Sequence, residues 1–323
     1  MKKIIASLLV VSVIVSGCSL FKKDPQKAVN EGISQFSTVK KLTSKLTVKG
    51  TVKSPTGEKP EKIDFTIEAS GKSDLTDTES PLVDMVFKLS ASADDMKGSG
   101  EIQFRTVDKK IYVNVTKIDV AGEAGDQLKT QLASLLNTWW YIPTGEKSPF
   151  GKLTEEQKQI RETMKNTNFF MNVTEVGKED VSDISAVRYR VDLDKEALKK
   201  FIFEIARVTG NEVTPEDQLS IAENLGGIEF SGAVWIGGDD VAHRVSGTVA
   251  VTPKQGPSSS FDIDYSGWDF GDKVKVEAPA DAKEFNPLLM LPLIGAFTAL
   301  GQQTAQTPAV PGIQPVLPVP TTQ

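Results

Sequence analysis

Apolar and polar residues alternate along most of this chain. In "KIDFTIEA", Ile63, Phe65, Ile67 and Ala69 fall on one face, and Asp64, Thr66 and Glu68 on the other. "KLTVKGTV" and "VDMVFKLSA" repeat the pattern, and "EIQFRT" and "IYVNVT" flank Asp108-Lys109-Lys110 as a hairpin. Further on, "SAVRYRVDL" sets Val187, Tyr189, Val191 and Leu193 against Arg188, Arg190 and Asp192. "GIEFSGAVWIGGDDVAHRVSGTVAV" reads as a hairpin turning at Gly237-Gly238-Asp239-Asp240, and "SFDIDYSGW" and "KVKVEAP" close the series. A period of two with one apolar face per strand predicts about eleven strands of antiparallel sheet, covered on one face and wet on the other.

Helical spacing interrupts this ladder. Asp24-Pro25 reads as an N-cap followed by proline at the first helical position, with a helix to about Ser37. Residues 125–138 place Leu128, Leu132, Leu135 and Leu136 at helical spacing and run into Trp139-Trp140-Tyr141. Residues 154–166 predict a polar helix with Glu155 and Glu156 in its first turn, where the helix dipole favours acids. Residues 194–208 carry Leu198, Phe201, Ile202 and Ile205, and Thr214-Pro215 opens a last helix ending near Gly226-Gly227. So few helices cannot cover both faces of such a sheet, which places them together inside its curve. The fold class is α+β and mostly antiparallel β.

The two ends are of other composition. Met1-Lys2-Lys3 precedes an apolar run over residues 4–15 and then Ser16-Gly17-Cys18. That is the layout of a secretory signal peptide, and the run is shorter than the ~20 residues that span a membrane. Val15-Ser16-Gly17-Cys18 resembles the lipobox of bacterial lipoproteins. The resemblance implies a diacylglyceryl group on the Cys18 thiol, cleavage before Cys18 and a further acyl chain on the new amino terminus. The expected organisation is a signal peptide over residues 1–17, lipidated Cys18 with a tether over 18–24, and one folded domain over 25–285. Residues 286–301 are strongly apolar but broken by Pro292, and residues 302–323 form a proline-rich tail expected to be disordered. The apolar run reads either as a helix packed over the fold or as a movable plug in an apolar pocket.

Charge and chemistry narrow the function classes. The chain carries 37 basic and 43 acidic residues, a net charge of −6, and loss of Lys2 and Lys3 with the leader makes it more acidic. Such a surface repels nucleic acid and anionic headgroups. Cys18 is the only cysteine, so no disulfide is available and stability rests on an apolar core. His243 is the only histidine, and alternation aligns it with Val241, Val245 and Val249 on the apolar face, as a hydrogen-bonded core residue. No second histidine exists for a metal site, and no Gly-x-Ser-x-Gly nucleophile turn accompanies His243. "DIDYSG" from Asp262 opens like a calcium loop, but Ser266 and Lys273 occupy its fifth and twelfth positions. The sequence thus predicts no enzyme, no metal and no cofactor.

The order of segments, with "WWYIP", Val234-Trp235-Ile236 before a polar turn and the closing Val276-Glu277-Ala278-Pro279, resembles the LppX/LprG lipoproteins of the LolA/LolB-like superfamily. This resemblance covers about residues 25–285. It implies a curved, incompletely closed half-barrel of about eleven strands, with helices on its concave face holding lipid acyl chains. The expected function is a non-catalytic, extracytoplasmic, membrane-anchored carrier whose partner is a lipid or another acylated ligand. Leu128, Leu132, Leu135, Trp139, Phe201 and Ile205 are expected to line the cavity from the helix side. The alternative is a cell-envelope protein-interaction module with a filled core.

Overall fold

The computed structural model describes residues 23–53, 62–77, 80–93, 96–143, 154–211, 213–253 and 257–285. The expected leader, Cys18, and the apolar and proline-rich segments beyond residue 285 lie outside them. The alternating segments form strands β1 (Lys41–Lys53), β2 (Lys62–Asp74), β3 (Leu82–Ala93), β4 (Met96–Val107), β5 (Lys110–Val120) and β6 (Trp139–Pro143). They are followed by β7 (Phe170–Val181), β8 (Ile184–Leu193), β9 (Ile228–Gly237), β10 (Ala242–Val251), β11 (Ser258–Trp268) and the two-residue β12 (Lys283–Glu284). All join one sheet in the order β12-β6-β5-β4-β3-β2-β1-β11-β10-β9-β8-β7. Its two ends, β12 and β7, do not pair, so the sheet is open. Every pairing is antiparallel except β12 on β6.

Directly opposed residues share a face, so the register traces a single row across the sheet. Tyr189 opposes Val234, which opposes Val245, then Tyr265, Leu46, Ala69, Phe87, Ile102 and Val115. Every member is apolar or aromatic. The alternation read from single strands therefore adds up to one continuous apolar face, the inner face of the sheet.

Five helices are described: α1 (Pro25–Phe36), α2 (Glu123–Leu132), α3 (Glu155–Asn166), α4 (Lys195–Val208) and α5 (Pro215–Gly226). Their starts reflect local chemistry. The Asp24 carboxylate accepts from Lys27 N–H ahead of Pro25, and Asp194 accepts from Ala197 N–H in the same way. Thr214 and Asp217 form a capping box around Pro215. Helix α1 packs on the inner face, touching β7, β9 and β10, and α3 bridges α1 to the α4–α5 pair. Helix α2 lies against β5.

Three local readings change. Residues 273–279, expected as a strand, run without strand pairing as a strap across one end of the sheet. Gly271 N–H donates to Lys41 O at 3.1 Å and Arg105 Nη1 donates to Glu277 O at 3.4 Å before the strap reaches β6 as β12. Strand β7 is absent from the sequence reading, because two register shifts against β8, at Met171/Thr174 and Glu175/Gly177, break its alternation. A bulge between Ala242 and Arg244 also takes His243 out of step with Val245. The histidine is nonetheless a hydrogen-bonded, buried residue, as expected.

A half-covered apolar face as candidate ligand site

Coverage divides the inner face. Under α1, a core forms from Ala28 and Val29 of the helix with Tyr189, Val191, Val234, Ile236 and Ala242 of the sheet. Ile33, Phe36, Phe170, Val173, Phe230 and Val245 pack around it. Gly32 allows this approach, since a Cβ there would collide with Ile236 Cδ1. Phe36 then meets Tyr265 edge-on at 5.6 Å between ring centroids. Burial there pushes the Tyr265 phenol up to about 12, against a lowering hydrogen bond with Ser44.

Beyond Tyr265 the same face opens. Phe87 and Leu89, in the middle of the sheet on β3, are 36% and 44% exposed, and Ile63 and Ile142 are exposed too. All four belong to the inner face: Ile67 opposes Leu89, Ile63 opposes Ala93, and Ile142 opposes Ile111. Side chains of this kind are commonly buried in the middle of a sheet, so their exposure makes this half of the inner face a candidate binding surface. Neighbouring rings line it further, Phe65 and Phe261 meeting over Gly50 at 5.8 Å between centroids.

The edge at β6 is built differently on its two faces. Trp140 opposes Val113 and so belongs to the inner face, where its ring meets Phe285 edge-on at 6.3 Å. Its indole Nε1–H is buried without an acceptor among the described residues. Trp139 stands on the other face, where the Arg105 guanidinium lies 4.8 Å over its ring. Outer-face Tyr112 is buried, and Lys110 sits 4.4 Å over Tyr141.

The residues expected at a cavity fall in two places. Leu132 and Leu135 are buried at the β5 end of the sheet, and Leu128 lies in α2, its side chain outside those described. Phe201 on α4 packs edge-on against Phe169 at 5.1 Å, just before β7, and Ile205 is half-buried in the same helix. A cleft of about 610 Å³ between α4 and α5 is lined by Phe203, Arg207, Val213 and Pro215 rather than by these two. The sequence expectation named lining residues on the helix side only, whereas Phe87, Leu89, Ile63 and Ile142 expose the apolar face of the sheet itself. Their alternation was legible, but their exposure depends on how far α1 reaches.

The outer face carries a small buried cluster of Val181, Ala186, Ala233 and Trp235 and is tied by ion pairs. Arg244 donates through Nε and Nη2 to both carboxylate oxygens of Asp264, at 2.9 and 2.8 Å. Trp235 is sandwiched between Arg244 and Arg188 at 4.7 and 5.2 Å, and its Nε1 donates to Glu179 at 3.0 Å. At the end of the sheet, buried His243 stacks at 4.5 Å on Phe270, just past β11, and Phe270 also meets Phe36 of α1 at 6.2 Å. The histidine Nδ1 lies 3.0 Å from Gly267 O and its Nε2 3.1 Å from each Asp239 carboxylate oxygen. Both ring nitrogens face acceptors, an arrangement that holds the β9–β10 turn against β11. Among the described residues, no cluster of three His, Cys, Asp or Glu side chains could hold a metal ion. No described helix is long and apolar enough to cross a membrane.

No family model and no curated protein matches the chain. Among solved structures it is similar to LprF from Mycobacterium bovis, at 12% identity and a TM-score of 0.35 over 79% of this chain and 97% of that one. It is also similar to the lipoprotein LppX from Mycobacterium tuberculosis, at 12% identity and a TM-score of 0.33 over 78% and 98%. A LolA superfamily protein from Nitrosomonas europaea matches at 8% identity and a TM-score of 0.20 over 79% and 99%.

Proposed function

We propose that this chain is a membrane-anchored, extracytoplasmic lipoprotein that holds a lipid or other acylated ligand on the open half of its inner face. One observation carries the reading. A single apolar face is sealed by α1 at β8–β10 and left exposed at Phe87 and Leu89. Burial alone would hold the ligand, at ~0.8 kcal/mol for each methylene taken out of water. Because Phe87, Leu89, Ile63 and Ile142 are aliphatic or aromatic, the acyl portion is the part recognised. The helix-side residues Leu128, Leu132, Leu135, Phe201 and Ile205 would flank the bound chain from the two ends of the sheet. Trp139, on the outer face, would steady the β6 edge through Arg105.

The anchor is the second part of the proposal. Two or more acyl chains at Cys18 would hold the domain at a membrane, since a single chain binds only reversibly. Asp24, which caps α1, then begins the fold a few residues from the bilayer surface.

The reading is tested on residues 19–323 purified from a bacterial host, by native mass spectrometry with organic extraction and by titration with a fluorescent long-chain fatty acid. Co-purified lipid and saturable binding, both lost in Leu89→Glu, are the expected result. A protein that stays bare and also fails to bind after removal of residues 286–323 would overturn it. For the anchor, the full chain is labelled metabolically with radioactive palmitate, and the label should disappear in Cys18→Ser. Retention of label in that variant rules the anchor out.

A further inference from the structure

We propose that residues 286–300 are the resting occupant of the open half of the inner face and that ligand displaces them. This rests on the reading of that face as a ligand site and assigns its regulation. The point of departure is fixed. Strand β12 pairs with β6, Phe285 N–H donates to Tyr141 O at 2.9 Å, and Glu284 accepts from the Tyr141 hydroxyl at 3.3 Å. The next ring, Phe285, packs against Trp140 on the inner face. The described chain therefore ends at the margin of the uncovered surface and already on its apolar side.

The segment beyond Phe285 suits that surface. Residues 286–300, "NPLLMLPLIGAFTAL", contain no charged side chain. The inner face beyond Trp140, through Phe104, Phe87 and Leu89, is equally uncharged. Reach is sufficient in any conformation. Five strands, β2 to β6, span about 20 Å at ~4.8 Å spacing. Fifteen residues cover about 22 Å as a helix and up to about 50 Å extended. The Trp140 Nε1–H, buried and without an acceptor among the described residues, offers a hydrogen bond to a carbonyl of the incoming segment. Tethering makes the segment a strong competitor, because a short linker holds it at an effective concentration of about 1 mM.

The test uses residues 19–323, which contain no cysteine. One variant carries Leu89→Cys with Phe297→Cys, and a second carries the outer-face Lys88→Cys with Phe297→Cys. Each is treated with a short bismaleimide. Intramolecular cross-linking of the Leu89 pair alone, suppressed by a long-chain fatty acid, is the expected result. The chain ending at Phe285 should bind that fatty acid about 10-fold or more tightly than residues 19–323, because the tethered competitor is gone. Equal cross-linking of both pairs, or of neither, overturns the proposal. The two readings fail separately. A cross-link specific to Leu89 with no fatty-acid binding by either chain upholds the occupant and removes the carrier. No cross-link with equal binding by both chains upholds the carrier and removes the occupant.

Discussion

Val234 and Phe87 stand in one cross-strand row of the same sheet face, joined through Val245, Tyr265, Leu46 and Ala69, yet Val234 is fully enclosed while Phe87 is 36% exposed. Nothing in their chemistry separates them. Helix α1 lies over one and stops short of the other, its last residue Phe36 reaching Tyr265. The boundary between core and candidate site is thus the end of a helix.

Truncations on the two sides of that boundary should differ in kind. Val234→Ala removes packed methyl groups and should cost about 2 kcal/mol in chemical denaturation. Phe87→Ala touches a half-open surface and should cost under ~1 kcal/mol, while weakening fatty-acid binding severalfold. Similar losses of stability for both would mean that Phe87 is core.

Gly32 sits inside α1, where glycine is ~1 kcal/mol less favourable than alanine, and a Cβ there would strike Ile236 Cδ1. Close approach of α1 to β9 accounts for the glycine. Gly32→Val should destabilise the protein by about 1–3 kcal/mol through overpacking. A variant as stable as the parent would show that α1 does not dock this closely.

On the outer face, Trp235 is buried between two guanidinium groups and donates to Glu179. Trp235→Ala should cost about 3–5 kcal/mol, and Trp235→Phe about 1 kcal/mol more than a pure volume change because one hydrogen bond is lost. Ligand binding on the inner face should survive Trp235→Phe, measured by the same fluorescence titration. Abolished binding in a folded variant would place the site on the other side of the sheet.

Tyr265 supplies a pH dependence. Burial raises its pKa to about 12 from an ordinary value of 10, despite the Ser44 hydrogen bond that lowers it. A raised pKa stabilises the fold fully below pH 10, and that stabilisation is lost as pH rises through about 12. Burial also raises Tyr112 and Tyr141 above the ordinary value, but the step near pH 12 in absorbance at 295 nm should be that of Tyr265, and Tyr265→Phe should remove it. Ionisation of all four tyrosines near pH 10 in the folded protein would contradict the packing of Phe36 over this ring.

Most of the architecture was legible residue by residue. Ile63, Phe65, Ile67 and Ala69 announced a strand with one apolar face, and Asp24-Pro25 and Thr214-Pro215 announced helix starts, because these signals arise within a few residues of themselves. Strand β7 was hidden by its bulges, which are settled only against β8. Residues 273–279 alternate like a strand, yet find no free backbone edge until β12 reaches β6. The sidedness of Trp139 and Trp140 also escaped, because helical spacing upstream gave no register for the pair.

The candidate site divides along the same line. Sequence alone determined that the chain would build an apolar sheet face, cap a few amphipathic helices and carry one histidine in a hydrogen-bonded interior position, because alternation and capping are local. Tertiary structure decided which part of that face is core and which is open. Val234 and Phe87 share a pattern, and only the length and placement of α1 separate them, because burial depends on what packs above a residue rather than on the residue itself.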